Sequence, residues 1–394
     1  MRLLYIINGI GFASNVSLGG SDKRAMEIGL RLLRAGHEIY VLTTTQGSLL
    51  LHDQLNAEYS IITVPWFLKS SLRNGFLGRI LAYLYVTLKG SFFLFDEKFD
   101  VVFPTSDFFF DVIPAISCKA RGFSRKIVYI VHHAILDPIK RKGYTLRNFI
   151  LFLSQRFCFI LMGIFADGIF VYFTKEGDKI KNILSGFKIP KDKISSVICG
   201  IDLRKMRSVP LVEKRFVACF VGGIRPAKGL FDIVPIWKNV CANLNGSKLL
   251  IMCSGLSAYV KHLKEEIAKE CLDENITLLV GHLDEGELYR NISASKVLIL
   301  PSYEEGWSII ICEALSLGVP AVVYDLDVFD NFGDAILRVE KGNTVDFSRK
   351  ILQLINNTQF YDQIKNHAVD TVKEFDWDKA AELDEKILKG IINE

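Results

Sequence analysis

The sequence predicts two α/β domains in series, each a Rossmann-like unit around a parallel sheet. Three observations carry that expectation. Short apolar runs recur along the chain (YIIN, VVFP, IVYIV, FVACFVGG, LLIMC, VLIL), and each gives way to a polar or glycine-bearing loop and then a helix-patterned stretch. At 394 residues, 50% hydrophobic, the chain exceeds one ordinary core and can fill two. Both halves open alike, with a strand, a glycine loop and a helix.

Residues 3–8 read as a buried strand, followed by the polar loop IGFASNVSLGGS. DKRAMEIGLRLLRAGHEI carries helical spacing and is stopped by Gly36, and EIYVLTT is the next strand. Gly9-x-Gly11-x-x-Ser14 approaches a dinucleotide fingerprint without completing it. The third glycine is missing, and Thr43 to Thr45 stand where an acid would meet a ribose. Gly19 and Gly20, at the helix entrance, would let the backbone approach a phosphate or an acceptor closely.

Residues 63–95 mix Trp66, Phe67, Leu68 and Phe76 with Lys69, Arg73 and Arg79, and hold no acid. Residues 146–166 are apolar around nearly the whole helix circumference, split by Arg156 and preceded by Lys140, Arg141 and Lys142. Apolar plus basic is the composition of a segment lying on an anionic bilayer; core helices with a basic rim are the alternative. Neither segment offers about 18 uninterrupted apolar residues, so a transmembrane span is not expected. Between them, DVVFPTSDFFF and KIVYIVHHAI are strand-then-loop units, and His132 and His133 fall at a strand's carboxyl end, where open α/β sheets bind ligands.

Residues 1–207 hold 28 Lys and Arg against 16 Asp and Glu, so their net charge is +12, while the remainder carries −8. A basic half beside an acidic one suggests that the first faces something anionic. The second series begins with FVACFVGGIRPAKGLFDIVPIWKNV, a strand, a glycine loop and a helix. Gly222, Gly223, Arg225 and Lys228 there would gather positive charge onto a pyrophosphate at a helix start. KLLIMCSG ends a strand at Gly255, and ITLLVGHLDEGELYRNISAS supplies strand, loop and helix.

The most informative stretch is VLILPSYEEGWSIIICEALSLGVPAVVYDL, residues 297–326. Glu305 sits in its loop, and Glu313 lies inside a helix surrounded by Ile309, Ile310, Ile311, Cys312, Ala314 and Leu315. A carboxylate against a core needs hydrogen-bond donors, which the vicinal hydroxyls of a ribose would supply. Gly306, Trp307 and Ser308 aim free backbone N–H groups at the same space. The final stretch, DTVKEFDWDKAAELDEKILKGII, reads as one amphipathic helix.

These motifs resemble the retaining glycosyltransferases of family 4, with the GT-B fold. The likeness rests on P-S-x-x-E-G-W-S, the E-A helix and G-x-P-A-V-V, on Lys228-Gly229, and on SSVICGIDLRKM, where Cys199 stands in place of the usual Asn. The resemblance implies two Rossmann-like domains facing a central cleft: an acceptor domain over 1–207, a nucleotide-sugar domain over 208–372 and a helix over 373–394 returning to the first. It implies transfer of a hexose from a UDP- or GDP-sugar to a lipid-linked or membrane-proximal glycan, with no metal or further cofactor. By the same resemblance Glu305 touches the donor sugar, Glu313 the ribose, Gly281, His282 and Leu283 the base, and His132 the sugar or acceptor. Arg225 stands in for an arginine usual at Gly223, and Trp377 anchors the last helix.

Asp325-Leu326-Asp327 matches the D-x-D of metal-dependent transferases, but three-residue motifs recur by chance. The eight cysteines include no C-x-x-C and fit structural thiols in a reducing cytoplasm. MRLLYIINGIGF lacks a cleavage site and reads as a first strand. The expected location is cytoplasmic, peripheral on the inner face of the cell membrane. Competing readings are a sugar-nucleotide epimerase on the same fold and a non-enzymatic membrane or nucleic-acid binding protein; no nucleic-acid motif supports the last.

Overall fold

A computed structural model describes residues 1–9, 19–52, 55–63, 76–143, 145–210, 212–255, 257–281 and 283–394. Trp66, Phe67, Leu68, Lys69, Arg73, His282, Gly11 and Ser14 lie outside the described residues, and so does most of the loop after the first strand.

The chain divides into two compact units, residues 1–199 with 377–394 and residues 200–376. The first holds β1 (Arg2–Ile7), β2 (Glu38–Thr44), β3 (Glu58–Ile62), β4 (Phe99–Pro104), β5 (Ser124–Val131), β6 (Gly168–Tyr172) and β7 (Ile194–Val197). They form one sheet in the order β3-β2-β1-β4-β5-β6-β7, parallel throughout. Leu3 pairs with Ile39 on one side of β1 and with Val101 on the other. These strands read as continuous apolar runs because helices cover both faces of the sheet.

The second unit holds β8 (Phe216–Ile224), β9 (Leu249–Gly255), β10 (Ile276–Val280), β11 (Ser295–Leu300), β12 (Ala321–Tyr324) and β13 (Ile336–Val339). Its order is β10-β9-β8-β11-β12-β13, again parallel. In each sheet the first strand is flanked on one side by its successor and on the other by a later strand. That reversal opens a crevice at the carboxyl ends of β1 and β4, and another at those of β8 and β11.

The last 25 residues differ from the single helix expected of them. One helix, Thr358–Thr371, ends in a short 3-10 turn, Val372–Glu374, and a new helix runs from Trp377 to Asn393. Between them Asp376 bridges to Ile201, and Phe375 accepts the Ile201 N–H, so the chain is pinned there in extended form. The new helix belongs to the first unit. Arg24 Nη2 meets Asp384 Oδ1 at 2.8 Å, Arg31 Nε meets Asp378 at 2.5 Å, and His37 Nε2 meets Glu385 at 2.8 Å. Trp377 is buried at its start.

The apolar segment 146–166 forms the helix Thr145–Phe165. By length and composition it could cross a membrane, contrary to the expectation from uninterrupted runs. One face nonetheless packs inward, with Cys158, Phe159 and Met162 in the core of the first unit. On that face Gln155 accepts the Ile135 N–H and donates to Asp107 and to the His133 carbonyl. The other face is exposed and apolar: Leu146, Phe149, Leu153, Phe157, Ile160 and Ile164. Only an apolar side chain at both kinds of position makes a helix greasy all round, so sequence alone could not separate the two faces.

Candidate functional site

In the second unit Gly222 and Gly223 lie within β8, paired with Cys253 and Ser254, and not in the glycine loop expected; Arg225 follows the strand, and Pro226–Lys228 makes a 3-10 turn. Gly229 then takes φ 78°, and the helix Leu230–Asn243 begins. A Cβ on Gly229 would lie 2.2 Å from the Pro301 carbonyl oxygen. Glycine is therefore what lets this turn close against the end of β11. A backbone bond seals the approach, with the Tyr303 N–H donating to the Ala227 carbonyl at 2.9 Å. Asp232, in the first turn of the helix, accepts from the Tyr303 hydroxyl at 2.5 Å and from the Tyr324 hydroxyl at 2.9 Å.

That framework brings Lys228 and Glu305 together, Nζ to Oε1 at 2.5 Å, although 77 residues separate them. Their side chains are 16% and 7% exposed. Burial pulls the Lys228 pKa down; Glu305 opposes this, and the neighbouring Arg225 charge adds to it. Arg225 itself is exposed and makes no ion pair among the described residues. The result is a cationic spot with one carboxylate set into its edge.

Beyond Glu305 the chain passes Gly306 and Trp307 and enters the helix Ile309–Ser316 through Ser308. The Trp307 ring is buried and meets Phe375 edge-on at 5.1 Å, so the side chain anchors the loop and only its backbone faces outward chemistry. Ser308 sits at φ 74°, left-handed, and makes no side-chain cap. Its hydroxyl is buried without a partner among the described residues, as is that of Ser302. A non-glycine residue held left-handed at an uncapped helix start is strain of the kind that collects at ligand clamps.

Glu313 is 4% exposed, as its apolar neighbours require. The expectation that it waits for outside donors needs correcting, because the Tyr289 hydroxyl donates to its Oε1 at 3.0 Å. Tyr289 escaped sequence reasoning; a lone tyrosine on the buried face of an amphipathic helix was the available signal. Gly255 closes β9, and Gly281, φ 130°, donates its N–H to the Cys253 carbonyl, with Leu283 half-buried just beyond.

In the first unit Gly19 caps the helix Gly20–Arg34, and its N–H donates to Asp22 Oδ2 at 3.0 Å. Both Gly19 and Gly20 are exposed. His132 follows β5 and is engaged on both sides. Nε2 lies 2.8 Å from the Thr105 carbonyl, which can only accept, so this nitrogen carries the proton. Nδ1 then accepts from the Tyr172 hydroxyl at 2.8 Å. Burial lowers the imidazole pKa to about 4, keeping it neutral. The ring thus ties the ends of β4, β5 and β6 together and has no nitrogen free to take a substrate proton.

Among the described residues no three His, Cys, Asp or Glu side chains gather as a metal site. Asp325, of the D-x-D triplet, faces Arg338 at 3.4 Å, and Arg338 also pairs with Asp330 at 2.6 Å.

Residues 202–370 match the family model for glycosyl transferases group 1. An uncharacterized glycosyltransferase of Methanocaldococcus jannaschii is 27% identical over 165 residues, which are 41% of this chain and 44% of that relative. The O-antigen chain mannosyltransferase B of Escherichia coli is 21% identical over 207 residues, 50% of this chain and 54% of that one. The chain therefore spans about half the length of the curated relatives it matches. Among solved structures, Anabaena HepE in complex with UDP-glucose superposes with a TM-score of 0.72 at 16% identity, covering 99% of this chain and 100% of the other. Sucrose-phosphate synthase from Thermosynechococcus elongatus gives 0.73 at 12% identity, covering 100% and 99%. These likenesses establish the GT-B fold, two parallel-sheet α/β domains with a helical C-terminus. The family match spans every residue of the Lys228–Glu305 site.

Proposed function

We propose that the chain is a retaining glycosyltransferase of the family 4 kind, moving a hexose from a nucleoside diphosphate sugar to an acceptor glycan. One observation carries the reading: the half-sheltered Lys228–Glu305 pair, with Arg225 beside it, at the crevice where β8 and β11 diverge. The group 1 match over the same residues and a fold shared with a UDP-glucose complex support it.

As the glycosidic bond to the diphosphate breaks, negative charge grows on the β-phosphate. Lys228, Arg225 and the N–H groups of Gly306 to Ser308 stabilise it, and because they are already oriented they need little rearrangement. Glu305 loses part of its hold on Lys228 when phosphate arrives and turns to the sugar hydroxyls, orienting the anomeric carbon. Glu313 keeps its bond to Tyr289 and accepts from the ribose. Gly255, Gly281, His282 and Leu283 border the base, Gly222 and Gly223 admit the diphosphate, and Gly19 and Gly20 lie toward the acceptor. His132 acts by holding strand ends in place, since both its nitrogens are occupied. No step requires a metal.

The exposed apolar face of Thr145–Phe165, with Lys140, Arg141 and Lys142 before it and no acid from 138 to 166, fits an anionic bilayer. The inward face of the same helix belongs to a folded core, which favours lying on the membrane over crossing it. The acceptor is accordingly a lipid-linked glycan at the cytoplasmic surface. A donor screen by nucleotide release, with and without anionic liposomes and with EDTA, tests this. Glu305→Ala should lower kcat by roughly 10²–10³. Unchanged turnover in that variant refutes the assignment, and loss of activity in EDTA refutes metal independence.

A further inference from the structure

A second polar cluster lies in the first unit, whereas the Lys228–Glu305 pair belongs to the second. Four helices begin at the carboxyl edge of the seven-stranded sheet: Gly20–Arg34 after β1, Phe76–Ser91 after β3, Phe109–Ala120 after β4 and Thr145–Phe165 after β5. Near their starts stand Asp22, Arg79, Asp111 and Arg147. All four act electrostatically on the hydroxyl of Tyr83, whose pKa is raised first by burial and then by Asp111. The Tyr83 ring stacks on Phe110 at 4.4 Å, and Phe110 in turn abuts Gly9 at the end of β1. Arg79 Nε is buried with no partner among the described residues.

We propose that Arg79 and Arg147, together with the Tyr83 hydroxyl, bind the phosphate of a lipid-linked acceptor. The proposal rests on the transferase reading above and names the part of the acceptor that this edge recognises. Two guanidinium groups and a phenol are the donors a phosphate takes up, and Arg79 has an unmet donor to offer. The acids do not cancel this. Asp111 accepts from the Asn8 N–H and from Ser106, and burial pushes its pKa to about 8, so it is mostly neutral at pH 7. Asp22 is spent on the Gly19 N–H and is pushed to about 6. The apolar surface runs on from the same place, with Leu81, Leu84 and Leu88 exposed on one arginine-bearing helix and Leu146, Phe149 and Leu153 on the other. A free sugar phosphate would gain nothing from those six side chains, whereas a lipid chain would bury them.

The test uses farnesyl diphosphate, farnesol and inorganic pyrophosphate in titrations against the full chain, with UDP binding measured alongside. The wild type should bind farnesyl diphosphate at least about ten-fold more tightly than either of the others. Arg79→Gln with Arg147→Gln should erase that advantage and leave UDP affinity unchanged. Arg79→Lys with Arg147→Lys, which keeps both charges, should retain part of it and serves if the glutamine pair melts early. Equal affinity for farnesyl diphosphate in wild type and glutamine variant overturns the proposal, and so does pyrophosphate binding as well as the lipid form. UDP binding without farnesyl diphosphate binding would refute this subsite alone; the reverse result would refute the donor site and leave it standing.

Discussion

Replacing Lys228 by methionine keeps the side-chain volume and deletes the ammonium, which isolates the electrostatic part of the site. Glu305, 7% exposed, would then lose its ion-pair partner. Breaking a buried pair from one side typically costs 3–5 kcal/mol, and the partial exposure of Lys228 places this one at the lower end, about 3 kcal/mol. Glu305→Gln alone should cost less, because an amide tolerates burial, and the double variant Lys228→Met with Glu305→Gln should recover about 1–3 kcal/mol as coupling energy. Urea denaturation of the four proteins closes that cycle. Nucleotide binding supplies an independent readout, since loss of one charge-assisted contact to a diphosphate should weaken UDP or GDP affinity about ten-fold or more. Additive stabilities together with unchanged nucleotide affinity would refute the idea that the pair is a preassembled phosphate clamp.

Asp384→Ala should destabilise the first unit by about 3–5 kcal/mol, because it strands the fully buried Arg24; a shift in urea midpoint under about 1 kcal/mol contradicts that. The folded pKa values of Asp107 and Asp111 are raised by burial to about 7 and about 8, so the folded state binds protons there that the unfolded state has released. Stability from these groups is therefore present at low pH and lost as pH rises toward 8, at up to about 1.4 kcal/mol per pH unit for each proton. His132, lowered to about 4, works in the opposite sense but only below its ordinary value of 6.5. Between pH 6.5 and 8 Lys214, which burial lowers to about 8, opposes the aspartate effect, and Asp111→Asn should remove the aspartate part of the slope there; an unchanged slope excludes Asp111 as a source. Tyr289→Phe leaves Glu313 short of a donor and should cost about 1–3 kcal/mol of stability, with recovery when UDP is added; equal melting of variant and wild type would show that the bond does nothing.

Much of the fold was legible because parallel strands covered on both faces are continuous apolar runs, and both sheets declare themselves in that way. The Lys228–Glu305 loops were legible for a different reason: glycine, cation and carboxylate at strand ends are residue types that few other local structures require together. What escaped was whatever depends on tertiary partners. Tyr289 lies 24 residues from Glu313, and no pattern along the chain announces that its hydroxyl reaches the carboxylate. His132 looked like a ligand contact because of where it sits, yet the Thr105 carbonyl and the Tyr172 hydroxyl, 27 and 40 residues away, occupy both nitrogens. The break before Trp377 was hidden because Phe375 and Asp376 continue an amphipathic pattern, while their backbone groups are claimed by Ile201.

The two crevices show why strand order matters more to this chain than any one motif. Each sheet reverses direction beside its first strand, so the loops after β1 and β4, and those after β8 and β11, are left without a crossover helix between them. In the second unit the vacated edge is filled by Lys228 and Glu305, a pair whose charges balance until an anion arrives. In the first it holds Asp107 and Asp111, which burial raises to about 7 and about 8, so that Asp111 is mostly protonated at neutrality, with arginines close by. A carboxyl held neutral can donate a hydrogen bond as well as accept one, so this edge suits hydroxyl-bearing or phosphorylated ligands over cations. Raising the pH above 8 should then weaken ligand binding at the first edge through Asp111, whereas any loss at the second edge would follow Lys228, whose pKa burial lowers. Comparing the pH profile of farnesyl diphosphate binding with that of UDP binding separates the two, and parallel profiles would mean that the buried acids of the first unit serve only its folding.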